Sequence, residues 1–126
     1  MGFKKGDLIL EVGRVDDCDI HVREVLCEIT GSEFLEADSQ EVVDGVIIWW
    51  HDSDGDLVDE LMDALTYLSE NGSIWVLTPK IGRSGHVEPS DIHDAAPIAG
   101  LSVTSSISIA HDWTATHLVA RKAAKR

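Results

Sequence analysis

A chain of 126 residues is long enough for one sizeable hydrophobic core and too short for two. It carries 44% apolar residues and 23 acidic against ten basic side chains, a formal charge of -13. Phosphate backbones and anionic membranes are bound through clustered Lys and Arg, so neither nucleic acid nor a membrane is expected as a partner.

Four of the ten bases, Arg121, Lys122, Lys125 and Arg126, fall in the last six positions. The expected organisation is one domain over residues 1–120 and a solvated basic tail over 121–126. The opening "MGFKKGDLILEVG" breaks at Glu11 before any signal-peptide core forms, and "GVIIWW" is far short of a membrane span. Cys18 and Cys27 make no paired-cysteine motif, and the expected location is the cytoplasm.

"DLILEVG" (Asp7–Gly13) is a short apolar run ending in glycine and predicts a buried strand. Val22, Val25, Leu26 and Ile29 then recur at helical spacing, with Gly31 as a stop. "EFLEA" is expected to be a short second strand. "VVDGVIIWW" (Val42–Trp50) is β-branched and aromatic and apolar at successive positions, as a central strand covered on both faces must be.

After "HDSDGD", Leu57, Leu61, Met62, Leu65 and Leu68 line one face of an amphipathic helix, and "ENG" is expected to end it. Asp56, Asp59 and Glu60 crowd its first turns, where the helix dipole favours negative charge. "SIWVLTP" predicts another buried strand, closed by Pro79. Ser90 is the expected cap of a last helix, "DIHDAAPIAG", shortened or kinked by Pro97 and stopped by Gly100.

In "LSVTSSISI", Leu101, Val103, Ile107 and Ile109 alternate with hydroxyl residues, a period of two with one wet face. "HDW" turns the chain and "TATHLVAR" returns it as an antiparallel hairpin. The pattern β-α-β-β-α-β-α-β-β gives an α/β sandwich, parallel in its centre and antiparallel at its end.

From Val42 onward this pattern resembles the Rossmann-like methyltransferase fold. "VVDGVIIWW" looks like its fourth strand, "LSENGSIWVLTP" like its fifth element, and the "AGL" exit with two antiparallel strands like its C-terminal part. Such enzymes follow strand one with an acidic residue and a glycine-rich loop for S-adenosylmethionine. Here "LILEVGR" offers Glu11 and Gly13 before Arg14 and Val15, and much of the usual third strand and helix is missing. No cofactor is therefore expected. The whole chain is also similar to the actinobacterial domain-of-unknown-function 3052 family. The motifs are "DGVIIWWHDSDGDLVDELMDAL", "SIWVLTPKIGRSGHVEPSDI" and "AGLSVTSSISIAHDW". That resemblance implies an actinobacterial source and brings no activity.

In doubly wound sheets, ligands sit beyond the carboxyl ends of the parallel strands. Three loops meet there: "GRVDDCD", "HDSDGD" and "KIGRSGHVEPSD". The third gathers Lys80, Gly82, Arg83, Gly85, His86 and Ser90 in an otherwise acidic chain, with a helix start as a natural anion site. The expectation is a non-catalytic regulatory or binding module that engages an anionic small molecule or an acidic protein partner. Against it stands the plainer reading that the two cations only offset neighbouring carboxylates. The alternative is a minimal S-adenosylmethionine- or nucleotide-dependent transferase, with Glu11 and Gly13 at the cofactor and Asp52 near the chemistry. A third reading is a homodimer formed through the C-terminal hairpin, with Trp113 as its exposed aromatic.

Elsewhere the bland readings prevail. "HDSDGD" has neither the length nor the preceding helix of a calcium loop and reads as a turn with a helix cap. The six histidines lack metal-ligand spacing, so no metal is expected. Trp49, Trp50, Trp75 and Cys27 are expected in the core. Cys18, beside Asp16, Asp17 and Asp19, is a poor nucleophile.

The charge balance makes the first prediction. Filter binding to duplex DNA at physiological salt, about 0.15 M, should detect no complex. Tight binding that weakens steeply with salt would contradict this reading of the surface.

Overall fold

The computed structural model describes residues 5–12, 24–25, 27–29, 31, 42–51, 55–80, 82, 86–108 and 113–120. Five strands form one sheet: β1 (Ile9–Val12), β2 (Val43–Trp49), β3 (Leu68–Pro79), β4 (Leu101–Ser108) and β5 (Trp113–Ala120). Helix α1 (Leu57–Tyr67) lies between β2 and β3, and α2 (Pro89–Ile98) between β3 and β4. The spatial order is β1-β2-β3-β5-β4. β1 and β3 flank β2 in parallel, whereas β5 runs antiparallel to both β3 and β4. This is the expected α/β architecture, a parallel centre with an antiparallel C-terminal hairpin. The expected strand at "EFLEA" lies outside the described residues.

The continuous apolar runs of β2 and β3 are explained by burial on both faces. Leu10, Val46, Ile48, Trp50, Ile74, Val76 and Leu118 pack toward α1 and α2, against Leu57, Leu61, Ala64, Ile92 and Ala95. On the opposite face Ile9, Ile47, Trp49, Trp75, Leu77, Trp113 and Ala115 are also buried. Trp49 and Trp50 therefore enter different layers, as adjacent strand residues must, and both are core.

Helix α1 starts where the carboxylates imply. Asp56 is its N-cap and accepts a bond from the Val58 amide at 2.9 Å, with Asp59 and Glu60 in the first turn. The turn-and-cap reading of Asp56 thus holds, while Asp52, Ser53 and Asp54 lie outside the described residues. Met62 does not join the buried stripe: it is 51% exposed, one step around the helix from fully buried Leu61. Of the earlier helical segment, Glu24, Val25, Cys27, Glu28 and Ile29 are helical. Val25 and Ile29 are exposed and Cys27 is only half-buried, so the spacing of Val25 and Ile29 marks a helix without placing them in the core.

Two boundaries differ from expectation. "ENG" does not end α1. The C-cap is Leu68, whose amide bonds back to the Leu65 carbonyl, and the chain passes directly into β3. Pairing with β2 then jumps from Val43↔Leu68 to Gly45↔Ser73, so Ser69 to Gly72 fall opposite Asp44 alone. Asp44 is fixed from the other side, because its carboxylate accepts from the Leu8 amide at 2.8 Å and its own amide donates to the Leu8 carbonyl at 2.8 Å. The second difference is at α2, which begins at Pro89 with Glu88 as N-cap, so Ser90 sits inside the first turn. Proline at N1 lacks only an amide that has no helical partner there, and its fixed φ is already helical.

The irregular stretch of β3 depends on Gly72. A Cβ at that position would lie 2.6 Å from Leu68 Cδ1 and 2.8 Å from the Asp44 carbonyl oxygen. Backbone cannot yield as a side-chain tip can, so Gly72→Ala should destabilise the protein by about 1–3 kcal/mol in denaturant unfolding. An unchanged midpoint would show that β2 and β3 do not approach this closely.

Candidate functional site

The carboxyl ends of the parallel strands lie at Val12, Trp49 and Pro79, as the fold predicts for a site. Beyond β3, on the helical side of the sheet, is a cavity of about 60 Å³. Thr78 and Pro79 of β3, Thr114 and Thr116 of β5 and Ser106 of β4 line it from the sheet. His86, Val87, Ile92 and His93 line it from the loop and α2. Thr78 and Thr116, at 3% and 5% exposure, are the buried polar residues among those described, and both face this space. No carboxylate is among the lining side chains, in a chain with 23 of them.

His86 is held by the end of the strand. Its Nδ1 lies 2.9 Å from the Pro79 carbonyl oxygen, and a carbonyl only accepts, so Nδ1 carries a proton and donates. Nε2 is buried without a hydrogen-bond partner, and the Glu88 carboxylate approaches it only to 3.9 Å. Lys80 stands at the rim, where its ammonium donates to the Ser108 hydroxyl. Ser108 is the register partner of Thr114, so the ammonium is anchored beside the cavity floor.

Lys80 and His86 are thus brought to one place. Gly82 is exposed with φ of 87°, a conformation that suits glycine. Ser90 is exposed and caps nothing, which corrects the expected helix-start site: Glu88 occupies the cap and makes no side-chain cap bond. Arg83 and Gly85 lie outside the described residues. The hydroxyl floor was not singled out from the sequence. Its signal was the serine and threonine alternation of "LSVTSSISI", which reads as a solvated face.

The alternative cofactor residues are not assembled in the same way. Glu11, at the end of β1, accepts a bond from the Trp49 indole Nε1 at 3.0 Å. Gly13 and Asp52 lie outside the described residues. Trp113, expected to be exposed, is 4% exposed: it opens β5 and meets Trp49 edge-on, with ring centroids 4.9 Å apart. His51 makes a second edge contact with Trp113 at 5.5 Å. A shallower groove of about 520 Å³ separates α1 from α2, with Trp50, Leu57 and Val87 apolar and Asp56, Asp91 and Asp94 acidic. Among the described residues no three His, Cys, Asp or Glu side chains converge as a metal site, and no helix is long and apolar enough to cross a membrane.

The model for "Protein of unknown function (DUF3052)" matches residues 1–122. The chain belongs to that family. Its relatives include uncharacterized proteins of Mycobacterium tuberculosis and Mycobacterium bovis, each 48% identical over 122 residues, or 97% of this chain and 77% of theirs.

Among solved structures, this DUF3052 chain is similar to a Thermoplasma acidophilum protein assigned as a methyltransferase. The TM-score is 0.65 at 10% identity, over 95% of this chain and 70% of that one. A ribosomal protein L11 methylase from Lactobacillus delbrueckii gives 0.60 at 12% identity, over 96% and 73%. A SAM-dependent methyltransferase from Aquifex aeolicus gives 0.58 at 12%, over 93% and 84%. At these identities the likeness establishes a methyltransferase-like fold.

On the other face of the sheet, His117 stacks on Trp75 with centroids 4.5 Å apart and planes 18° from parallel. Its Nδ1 lies 2.6 Å from the Thr104 hydroxyl. Burial first, and a positive charge second, lower its pKa from the ordinary 6.5. The unfolded chain therefore binds this proton more readily, and stability falls as pH drops through about 6.5 toward the folded value. The fall in melting temperature between about pH 7.5 and about pH 5.5 should be smaller in His117→Gln than in wild type. An equal or larger fall would place the acid sensitivity elsewhere.

Proposed function

We propose that this protein is a non-catalytic binding module whose working surface is the Lys80–Asp91 loop, engaging a small anionic molecule or the acidic patch of a protein partner. One observation carries the reading: in a chain with a formal charge of -13, a cavity at the carboxyl end of β3 is lined by His86, His93 and hydroxyl residues and by no carboxylate, and Lys80 is anchored next to it through Ser108. The position at the carboxyl end of β3 supports it, since the fold leaves that edge open to ligands.

A second reading is a minimal S-adenosylmethionine- or nucleotide-dependent transferase. The methyltransferase-like fold favours it. The engagement of the Glu11 carboxylate by Trp49 weighs against it, because that acid is then occupied inside the protein. A third reading, a homodimer through the hairpin, is favoured by β4 as an edge strand with Ile107 41% exposed.

The double variant Lys80→Ala/Arg83→Ala separates the first reading from a structural role. Exposed polar contacts contribute about 0–1 kcal/mol, so its melting temperature should stay near that of wild type. A thermal-shift screen of phosphometabolites, nucleotides and S-adenosylmethionine should lose its anionic hits in the variant. Loss of several degrees with ligand binding retained would make the loop structural. Wild-type affinity for S-adenosylmethionine of about 10 µM or tighter would favour the transferase.

A further inference from the structure

We propose that two copies of this chain pair antiparallel along β4, main chain to main chain, with the two-fold axis at Ser106 or Ile107, so that two five-stranded sheets become one. This rests on the homodimer reading above and adds the edge and its register.

β4 is an unguarded edge. It closes one side of the sheet and pairs with β5 alone, so its outer row of amides and carbonyls has no strand beside it among the described residues. Natural edges are kept from pairing by short strands, charges or proline. The other edge follows that rule: β1 is four residues long and carries Glu11. β4 runs for eight residues, Leu101–Ser108, with neither a charged side chain nor a proline, in a chain where 26% of residues are charged. Its residues 104–108 are all exposed.

Charge selects the partner. A two-fold contact brings the same patch of each copy together. Copies with a formal charge of -13 repel wherever their carboxylates meet, so a self-contact needs an uncharged stretch, and β4 supplies one. Its outer groups are also self-complementary, because antiparallel strands exchange amides for carbonyls in both directions.

The bulge and Ile107 set the register. The ladder with β5 slips between Val103 and Ser105, which leaves Thr104 without an opposite residue. Thr104 is tied down there, its hydroxyl 2.6 Å from His117 Nδ1 and 3.3 Å from the His117 carbonyl oxygen. Beyond it, Ser105, Ser106, Ile107 and Ser108 pair regularly with His117, Thr116, Ala115 and Thr114. Directly opposed residues of an antiparallel pair share a face, so the axis passes through a residue and not between two. Ser106 and Ile107 are the middle of the regular stretch. Either choice sets Ile107, 41% exposed in the single chain, against the partner strand within two positions of its own copy.

The experiment is sedimentation equilibrium of the whole protein over a concentration series, at about 0.15 M and about 0.5 M salt. An edge contact covers little area, so a monomer–dimer equilibrium with a dissociation constant between about 1 µM and 1 mM is expected. Association should be tighter at the higher salt, which screens the repulsion between two acidic copies. Ile107→Glu, which places two carboxylates near the axis, should weaken it about tenfold or more with a melting temperature near that of wild type. Hydrogen exchange of the wild type gives a second measure should that variant not fold: amides of Ser105–Ser108 should slow as concentration rises, while those of α1 stay unchanged. A dimer indifferent to Ile107→Glu, or one that leaves Ser105–Ser108 unprotected, would overturn the β4 pairing and move the homodimer to another surface. A monomer at every concentration up to about 1 mM would overturn both the pairing and the homodimer reading.

Discussion

β3 is the strand on which two kinds of ladder meet. One edge of it pairs in parallel with β2 and the other in antiparallel with β5. Its side chains are buried in both layers, Trp75 and Leu77 on one face and Ile74 and Val76 on the other. A strand so placed can carry no charged residue along its centre, which is why "SIWVL" is nearly continuous in apolar character. The helical layer, the hairpin and the carboxyl-end loops are positioned relative to this strand.

The same constraint creates the site. The β3 ladder ends at Pro79, which pairs with Trp113 and has no amide to continue the pattern. The Pro79 carbonyl is turned to the His86 imidazole instead, which ties His86 to the sheet end and fixes which ring nitrogen carries the proton. The antiparallel hairpin supplies the rest of the floor, because residues at alternate positions of β4 and β5 share a face with Thr78. Polar residues buried there need partners or a ligand, whereas the same residue types farther along β4 meet solvent.

Much of the fold was legible in the sequence because it depends on local periodicity. The β2 and β3 runs and the Asp56 cap each carry their signal within a few residues, whereas the alternation expected in β4 does not survive: a register shift between Val103 and Ser105 puts Ile107 on the opposite face from Leu101 and Val103 and leaves it exposed. The misplacements share one cause: a partner distant in sequence decided them. "ENG" reads as a stop, but Asp44 and Leu8 hold β2 where β3 must follow it. Trp113 reads as part of a turn. Starting β5 one residue earlier places it on the face of Trp49, where its ring packs edge-on. The loop Lys80–Asp91 could be selected from its charge contrast alone. The hydroxyl floor could not, because which serines and threonines face a helix and which face water depends on the register of β4 with β5. The methyltransferase-like frame likewise establishes where a site can lie, while the side chains placed there differ from what a cofactor loop requires.

The account depends most on the bond between His86 and the end of β3. Nitrogen-15 correlation spectra of the imidazoles, recorded at about pH 8 where histidine is largely neutral, report directly which ring nitrogen holds the proton. The structure predicts the Nδ1-protonated tautomer at His86, with Nε2 bare. A ring protonated at Nε2 and bare at Nδ1 would mean that Pro79 does not orient His86, and the site as described here would not exist.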